Sequence, residues 1–162
     1  MRVLLVYPQI PETFWSFKHA LRFASRKVAF PPLGLLTVAA MLPSGWEKRL
    51  IDMNAKLLSD EDLRWADLVF VSAMVVQQES VREVIDRCKA FGVKTVAGGP
   101  LFRAGYEEVA LDDVDHVISG EAENILPQFL EDLQRGNAAP VYATDVRPEI
   151  ADSPVPLWSL VD

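Results

Sequence analysis

Two short segments of this 162-residue chain have the composition to line a ligand site, Gly98-Gly99-Pro100 and Gly120-Glu121-Ala122-Glu123. Glycine has no Cβ, so it lets backbone amides and carbonyls approach a ligand closely, and it also supplies the positive φ of tight turns. Each segment closes a short apolar run, and two such corners side by side describe a broad floor for a large ligand rather than a phosphate nest. Ser72 closes the preceding run with a hydroxyl that either bonds a ligand or caps the next turn. Asp52 and Asn54 end another run and either reach polar groups of a ligand or order their own loop. Gln77 and Gln78 open a helix, with one side chain available to the ligand side. Met74-Val75-Val76 is an apolar run where polar residues are expected, so it covers a ligand or plugs the core.

Other chemistries lack their residues. The turn after the first apolar run reads Tyr7-Pro8-Gln9-Ile10-Pro11, with no glycine to admit a pyrophosphate, and no P-loop is present. The acidic pair and aspartate of a phospho-receiver are replaced by Tyr7-Pro8 and Ser72-Ala73. Thr13 and Ser16 are too dispersed for a flavin phosphate loop. With His19 and His116 as the two histidines, neither a catalytic triad nor a zinc site assembles. Cys88 is the single cysteine, which excludes an internal disulfide, and its place among apolar helix positions reads as a core thiol.

Strand-length apolar runs, Arg2–Tyr7, Lys48–Asp52, Leu68–Ala73, Val93–Ala97 and His116–Ser119, must position these residues. The central three lack polar alternation, as strands covered on both faces do. Helical patterns lie between them at Leu33–Leu42, Asp60–Trp65, Gln77–Phe91 (closed by Gly92) and Tyr106–Leu111. A last helix ends at Gly136, and its Pro127 predicts a start capped by Asn124, since a first-turn proline removes no helical bond. Trp46 and Trp65 read as packing residues. The alternation predicts a doubly wound parallel α/β sheet of the flavodoxin-like, Rossmann-like type, five strands in order 2-1-3-4-5, with ligands at the carboxyl ends of the strands.

Two segments depart from this plan. Residues 9–30 are far longer than the roughly 2–6 residues of an ordinary strand-to-helix connection. From Thr13 to Phe30 they hold Lys18, Arg22, Arg26 and Lys27 with no acid, interleaved with Phe14, Trp15, Phe17, Phe23 and Phe30. A helix is predicted from about Trp15 to Ala24, either closing over a ligand, docking on another domain, or simply solvated along its charged face. This segment carries +4 within a net charge of −7, leaving −11 on the rest, which argues against nucleic acid or anionic lipid as partner. From Gly136 to Asp162 there are four prolines in 27 residues and no sustained period, as in a linker. The domain is therefore expected to span 1–136 and the linker 137–162. No apolar stretch approaches the ~18–20 residues of a membrane span, and a cytoplasmic location is expected.

In order along the chain, Val3-Leu4-Leu5-Val6-Tyr7-Pro8, Phe30-Pro31-Pro32-Leu33-Gly34-Leu35-Leu36, Ile51-Asp52-Met53-Asn54, Asp67-Leu68-Val69-Phe70-Val71-Ser72, Gly98-Gly99-Pro100 and Ser119-Gly120-Glu121-Ala122-Glu123 carry a pattern. With the tail Pro154–Asp162, the chain resembles the N-terminal cobalamin-binding domain of cobalamin-dependent radical SAM proteins, most of all the hopanoid C-2 methylase branch. The resemblance implies a corrinoid over the strand ends with its nucleotide tail directed towards Ser72 and Gly98. Backbone groups at Pro8, Ser72, Ala73, Gly98, Gly99, Gly120 and Glu121 would contact it, in a cofactor-binding set extended by Gln9, Asp52, Asn54, Met74, Gln77 and Pro100. It further implies a radical SAM domain later in the same chain, where S-adenosylmethionine and a [4Fe–4S] cluster support methyl transfer to a substrate carbon.

Two departures shape these expectations. The Asp-x-His-x-x-Gly loop of methionine synthase and the mutases is missing, so the cobalamin is expected base-off without a histidine ligand. Many members also carry histidine after Gly-Gly-Pro, where this chain has Leu101. The three-cysteine cluster loop is likewise missing, so the residues at hand are expected to show no turnover alone. The alternative is a non-catalytic interaction module of the same fold that has lost the corrinoid, favoured by Leu101 and the apolar 74–76 run.

Overall fold

In the computed structural model, which describes residues 1–11, 31–103 and 113–161, the strands form one parallel sheet. They are β1 (Arg2–Tyr7), β2 (Glu47–Asp52), β3 (Leu68–Ser72), β4 (Lys94–Gly98), β5 (His116–Ser119) and β6 (Val141–Ala143), in the order β2-β1-β3-β4-β5-β6. The described helices are α1 (Leu33–Met41), α2 (Asp60–Trp65), α3 (Gln78–Phe91) and α4 (Ala122–Gln134). The flavodoxin-like, doubly wound parallel sheet predicted from the sequence is present, with one strand added at its edge.

Both faces of the sheet are covered, which is why the interiors of β1 and β3 read as unbroken apolar runs. Leu4, Val6, Val69 and Val71 pack with Leu63 of α2 and with Val81, Val84, Ile85 and Cys88 of α3. Val3, Leu5, Phe70, Val96 and Ile118 pack on the other face with Leu35 and Ala39 of α1 and with Ile125, Leu126 and Phe129 of α4. Trp65 joins the first cluster and Trp46 the second, as packing residues. The Arg49 guanidinium stacks 3.9 Å from the centre of the Trp65 ring. The α3 helix stops at Gly92, whose φ of +66° gives the left-handed turn a terminal glycine adopts without strain.

Three sequence expectations are corrected. The sheet has six strands because Val141-Tyr142-Ala143, within the stretch expected to be linker, pairs with β5. Three residues beside Pro140 are too short to show a period. The strand is held by Tyr142, which is buried, meets Phe129 edge-on at 5.5 Å and donates its hydroxyl proton to Asp132 at 2.8 Å. Asn124 does not cap α4, which starts two residues earlier, with Glu121 as cap. Pro127 therefore lies inside the helix, on its exposed face, where it has no N–H to donate to the Glu123 carbonyl. Finally, α3 begins one residue later than expected, at Gln78, with Gln77 both its cap and the last residue of a 3-10 turn over Val75–Gln77. The helices expected at Trp15–Ala24 and Tyr106–Leu111, and the basic-aromatic residues between Thr13 and Phe30, lie outside the described residues.

Candidate functional site

The carboxyl ends of β3, β4 and β5 meet in register, with Ser72 opposite Gly98 and Gly98 opposite Ile118. Beside them, between the sheet and the two helices α1 and α4, a cleft of about 390 Å³ opens to solvent. Its walls are Leu35 and Val38 of α1, Phe70, Val96 and Ile118 of the sheet, and Ala122 of α4. Ser72, Gly98, Gly99 and Gly120 line it at the carboxyl ends of the strands.

The three glycines there do different things. A Cβ on Gly99 would stand 2.7 Å from Ser72 Oγ and 3.0 Å from the Ala73 carbonyl, and its φ of +88° with ψ of −178° is a region essentially closed to other residues. Gly99 thus keeps the Ser72 hydroxyl uncovered, and that hydroxyl has no partner among the described residues. A Cβ on Gly120 would collide with the Thr144 carbonyl at 2.2 Å, so this glycine answers to the chain leaving β6. Gly98 has ordinary strand geometry, and a Cβ there would touch one atom, the Ile118 carbonyl at 3.3 Å, and otherwise stand in open space. Its absent side chain leaves room in the cleft itself.

A second group of predicted residues forms a loop-locking network at the ends of β1, β2 and β3. Gln77, 1 % exposed, donates from Nε2 to the Pro8 carbonyl at 2.5 Å and accepts at Oε1 from the Met74 amide at 2.8 Å. Asn54 donates from Nδ2 to Asp52 Oδ1 at 2.8 Å and to the Pro8 carbonyl at 3.3 Å, while its Oδ1 accepts from the Ile10 amide at 2.8 Å. Asp52 also accepts from the Asn54 amide at 2.9 Å, and the Gln9 amide donates to Ser80 Oγ at 2.9 Å. The polar side chains of Asp52, Asn54 and Gln77 thus bond one another's loops. Burial, helped by the charge of Asp52 and opposed by a hydrogen bond from Gln77, raises the pKa of the neighbouring Tyr7 phenol, keeping it neutral.

Ala73 links the two groups: its amide donates to Gly98 at 3.3 Å and its carbonyl accepts from Leu101 at 3.0 Å. Leu101 packs in the core on the α2–α3 face. Met74, Val75 and Val76 are 40 %, 38 % and 61 % exposed, so they do not plug the core; they form an apolar ledge at the end of β3. Pro100 starts a short 3-10 turn, and Glu121 caps α4 at the cleft's edge. The apolar walls on α1 and α4 were not singled out from the sequence, although the almost wholly apolar composition of α1 is the signal that it faces both core and cleft.

The remaining titratable residues stand apart. Cys88 is buried in the core and its thiol is pushed up to about 12, chiefly by desolvation. His116 lies at the amino end of β5, with Nδ1 2.8 Å from the Ala139 carbonyl, and His19 lies outside the described residues. No cluster of metal-ligating side chains occurs among the described residues, and no described helix is long and apolar enough to cross a membrane. The cleft as built, with apolar walls and the Ser72 hydroxyl and glycine backbone at the strand ends, fits a flat, largely apolar group with a polar atom directed at Ser72. The exposed apolar ledge beside it fits a large ring lying across the strand ends.

Known proteins share this pattern. A family model described as a B12 binding domain matches residues 20–130. An uncharacterized methyltransferase of Synechocystis sp. is 39% identical over 162 residues, 100% of this chain and 30% of that protein. The hopanoid C-2 methylase of Rhodopseudomonas palustris is 30% identical over 164 residues, 99% of this chain and 31% of that protein. The chain thus spans less than a third of the length of these relatives. Among solved structures, the N-terminal domain of a hypothetical protein of Thermotoga maritima is 24% identical, with a TM-score of 0.42, over 56% of this chain and 75% of that one.

Proposed function

Because the chain belongs to the B12-binding domain family, we propose that it holds a cobalamin across the carboxyl ends of its strands and presents the upper face to a radical SAM domain elsewhere in a longer protein. The cleft between α1 and α4 is the observation that carries the reading. It would take the nucleotide tail, with Ser72 Oγ bonding a ring nitrogen or phosphate oxygen, while the Met74–Val76 ledge lies under the corrin. Glycine at 98 and 99 keeps that path open, and Gln77, Asn54 and Asp52 hold the loops of β1, β2 and β3 at the heights the ring requires.

When bound, the cofactor supplies a methyl group for transfer to a substrate carbon, with S-adenosylmethionine and a [4Fe–4S] cluster contributed outside these residues. The protein's share here is to bind, orient and keep water from the lower face. In this reading the cobalamin is base-off, without a protein imidazole; His116 stands at the amino end of β5. The two methyltransferase names among the relatives favour methyl transfer over other radical reactions.

The test is a titration with hydroxocobalamin followed by desalting. Retained corrinoid with a base-off spectrum is expected. A histidine-ligated spectrum would overturn the coordination, and loss of all corrinoid, repeated with a chain extended beyond Asp162, would favour the rival non-catalytic interaction module, for which the exposed Met74–Val76 ledge would be the contact surface.

A further inference from the structure

After β6 the chain does not leave the domain. The Thr144 amide donates to the Ser119 carbonyl at 3.0 Å, pressing the backbone against Gly120, which lines the cleft. The chain then crosses the amino end of α4, where Asn124 Nδ2 donates to the Val146 carbonyl at 2.8 Å and the Ser153 hydroxyl donates to Glu123 Oε1 at 2.6 Å. It finishes on α1, where the Leu157 amide donates to the Leu36 carbonyl at 3.0 Å and Leu157 and Leu160 pack on the core. One strap therefore touches both helices that wall the cleft.

The strap is weakly built. Apart from two single 3-10 turns it has no regular structure, and Ile150 and Val155 are 92 % and 79 % exposed. A segment held by a few hydrogen bonds, one of them to a carboxylate, and little buried surface opens at lower free-energy cost than the core. Its anchors, in contrast, sit where separation of α1 from α4 would be felt.

We propose that residues 144–161 are a clasp across the cleft, so that a group entering or leaving between α1 and α4 passes through a state in which the strap has let go of Glu123 and Asn124. The proposal rests on the cobalamin reading above. It assigns Asn124 and Ser153 as positioning residues that set the rate of exchange without touching the ligand.

Stopped-flow mixing of the chain with hydroxocobalamin and with cobinamide, which lacks the nucleotide tail, tests it, using Ser153→Ala and the Asn124→Ala/Ser153→Ala pair. Thermal unfolding first confirms that each variant is folded. The association and dissociation rates for cobalamin are expected to rise together by about 10- to 150-fold, the worth of one hydrogen bond to a carboxylate at the barrier. The affinity stays nearly constant and the cobinamide rates do not move. Unchanged cobalamin rates in folded variants would overturn the clasp, as would equal acceleration of both ligands, which signals general loosening. Uptake of neither ligand by the unaltered chain would refute the cobalamin reading itself, and the clasp with it.

Discussion

Gly98 and Gly99 are neighbours in sequence, yet the structure assigns them opposite fates on substitution. At Gly98 the backbone is ordinary strand, and an added side chain meets the Ile118 carbonyl at 3.3 Å and then open cleft. Gly98→Val supplies a residue that strands favour and removes the entropy penalty of glycine, roughly 0.5–1 kcal/mol. Slight crowding at Ile118 offsets this, so stability should stay within about 1 kcal/mol, or roughly 2–4 °C in a domain of this size. The branched side chain fills space needed by a ligand, and overpacking of about 1–3 kcal/mol weakens binding about 5- to 150-fold.

At Gly99 the φ of +88° costs an alanine about 1–3 kcal/mol. Contacts of 2.7 Å with Ser72 Oγ and 3.0 Å with the Ala73 carbonyl add about 1–3 kcal/mol. Gly99→Ala should therefore lower the melting temperature by roughly 4–24 °C. The assay pairs thermal unfolding by circular dichroism with visible-absorbance titration of hydroxocobalamin and cobinamide. Gly98→Val should keep its stability and its cobinamide binding and lose cobalamin affinity. If it binds cobalamin like the unaltered chain, the nucleotide tail does not occupy the cleft; if it unfolds as early as Gly99→Ala, Gly98 is a structural glycine.

Other perturbations follow from the same contacts. Gln77→Leu strands the Met74 amide and removes one of two donors to the Pro8 carbonyl, so urea unfolding should show a loss of about 2–4 kcal/mol, and a loss under 0.5 kcal/mol would refute the clamp. The Cys88 thiol, buried and raised to about 12, should resist a disulfide reagent at pH 8 in the folded chain and react at once in denaturant. Ser59 and Asp62 form a reciprocal cap on α2, and although desolvation pushes the Asp62 carboxyl up, hydrogen bonds from Ser59 hold it below its ordinary range. A depressed carboxyl stabilises the fold above about pH 4 and loses that contribution as pH falls through its folded value. Ser59→Ala should thus cost about 0.5–2 kcal/mol near neutrality, with the difference in melting temperature shrinking below about pH 4.

The runs of β1 and β3, the apolar stripe of α3 and its stop at Gly92 were legible because burial on both faces and helical periodicity are written directly in residue order. So was the pairing of glycine corners at neighbouring strand ends, since parallel strands alternating with helices bring their carboxyl ends together. Sequence left Asn54 and Gln77 undecided between ligand and loop, because hydrogen-bond partners 44 to 69 residues apart are chosen only when the loops meet, and Asp52 follows them by bonding Asn54. It also hid β6, whose three residues gain their strand conformation from β5 beside them, and it placed the start of α4 at Asn124, which instead bonds the strap at Val146. That Gly98 guards empty space while Gly99 and Gly120 accommodate other parts of the same chain could not be read from three identical residue types. Composition and order determined that strands and helices alternate and which faces are apolar; only the packed structure decided which atoms stand within a Cβ's reach, because such contacts join segments far apart along the chain.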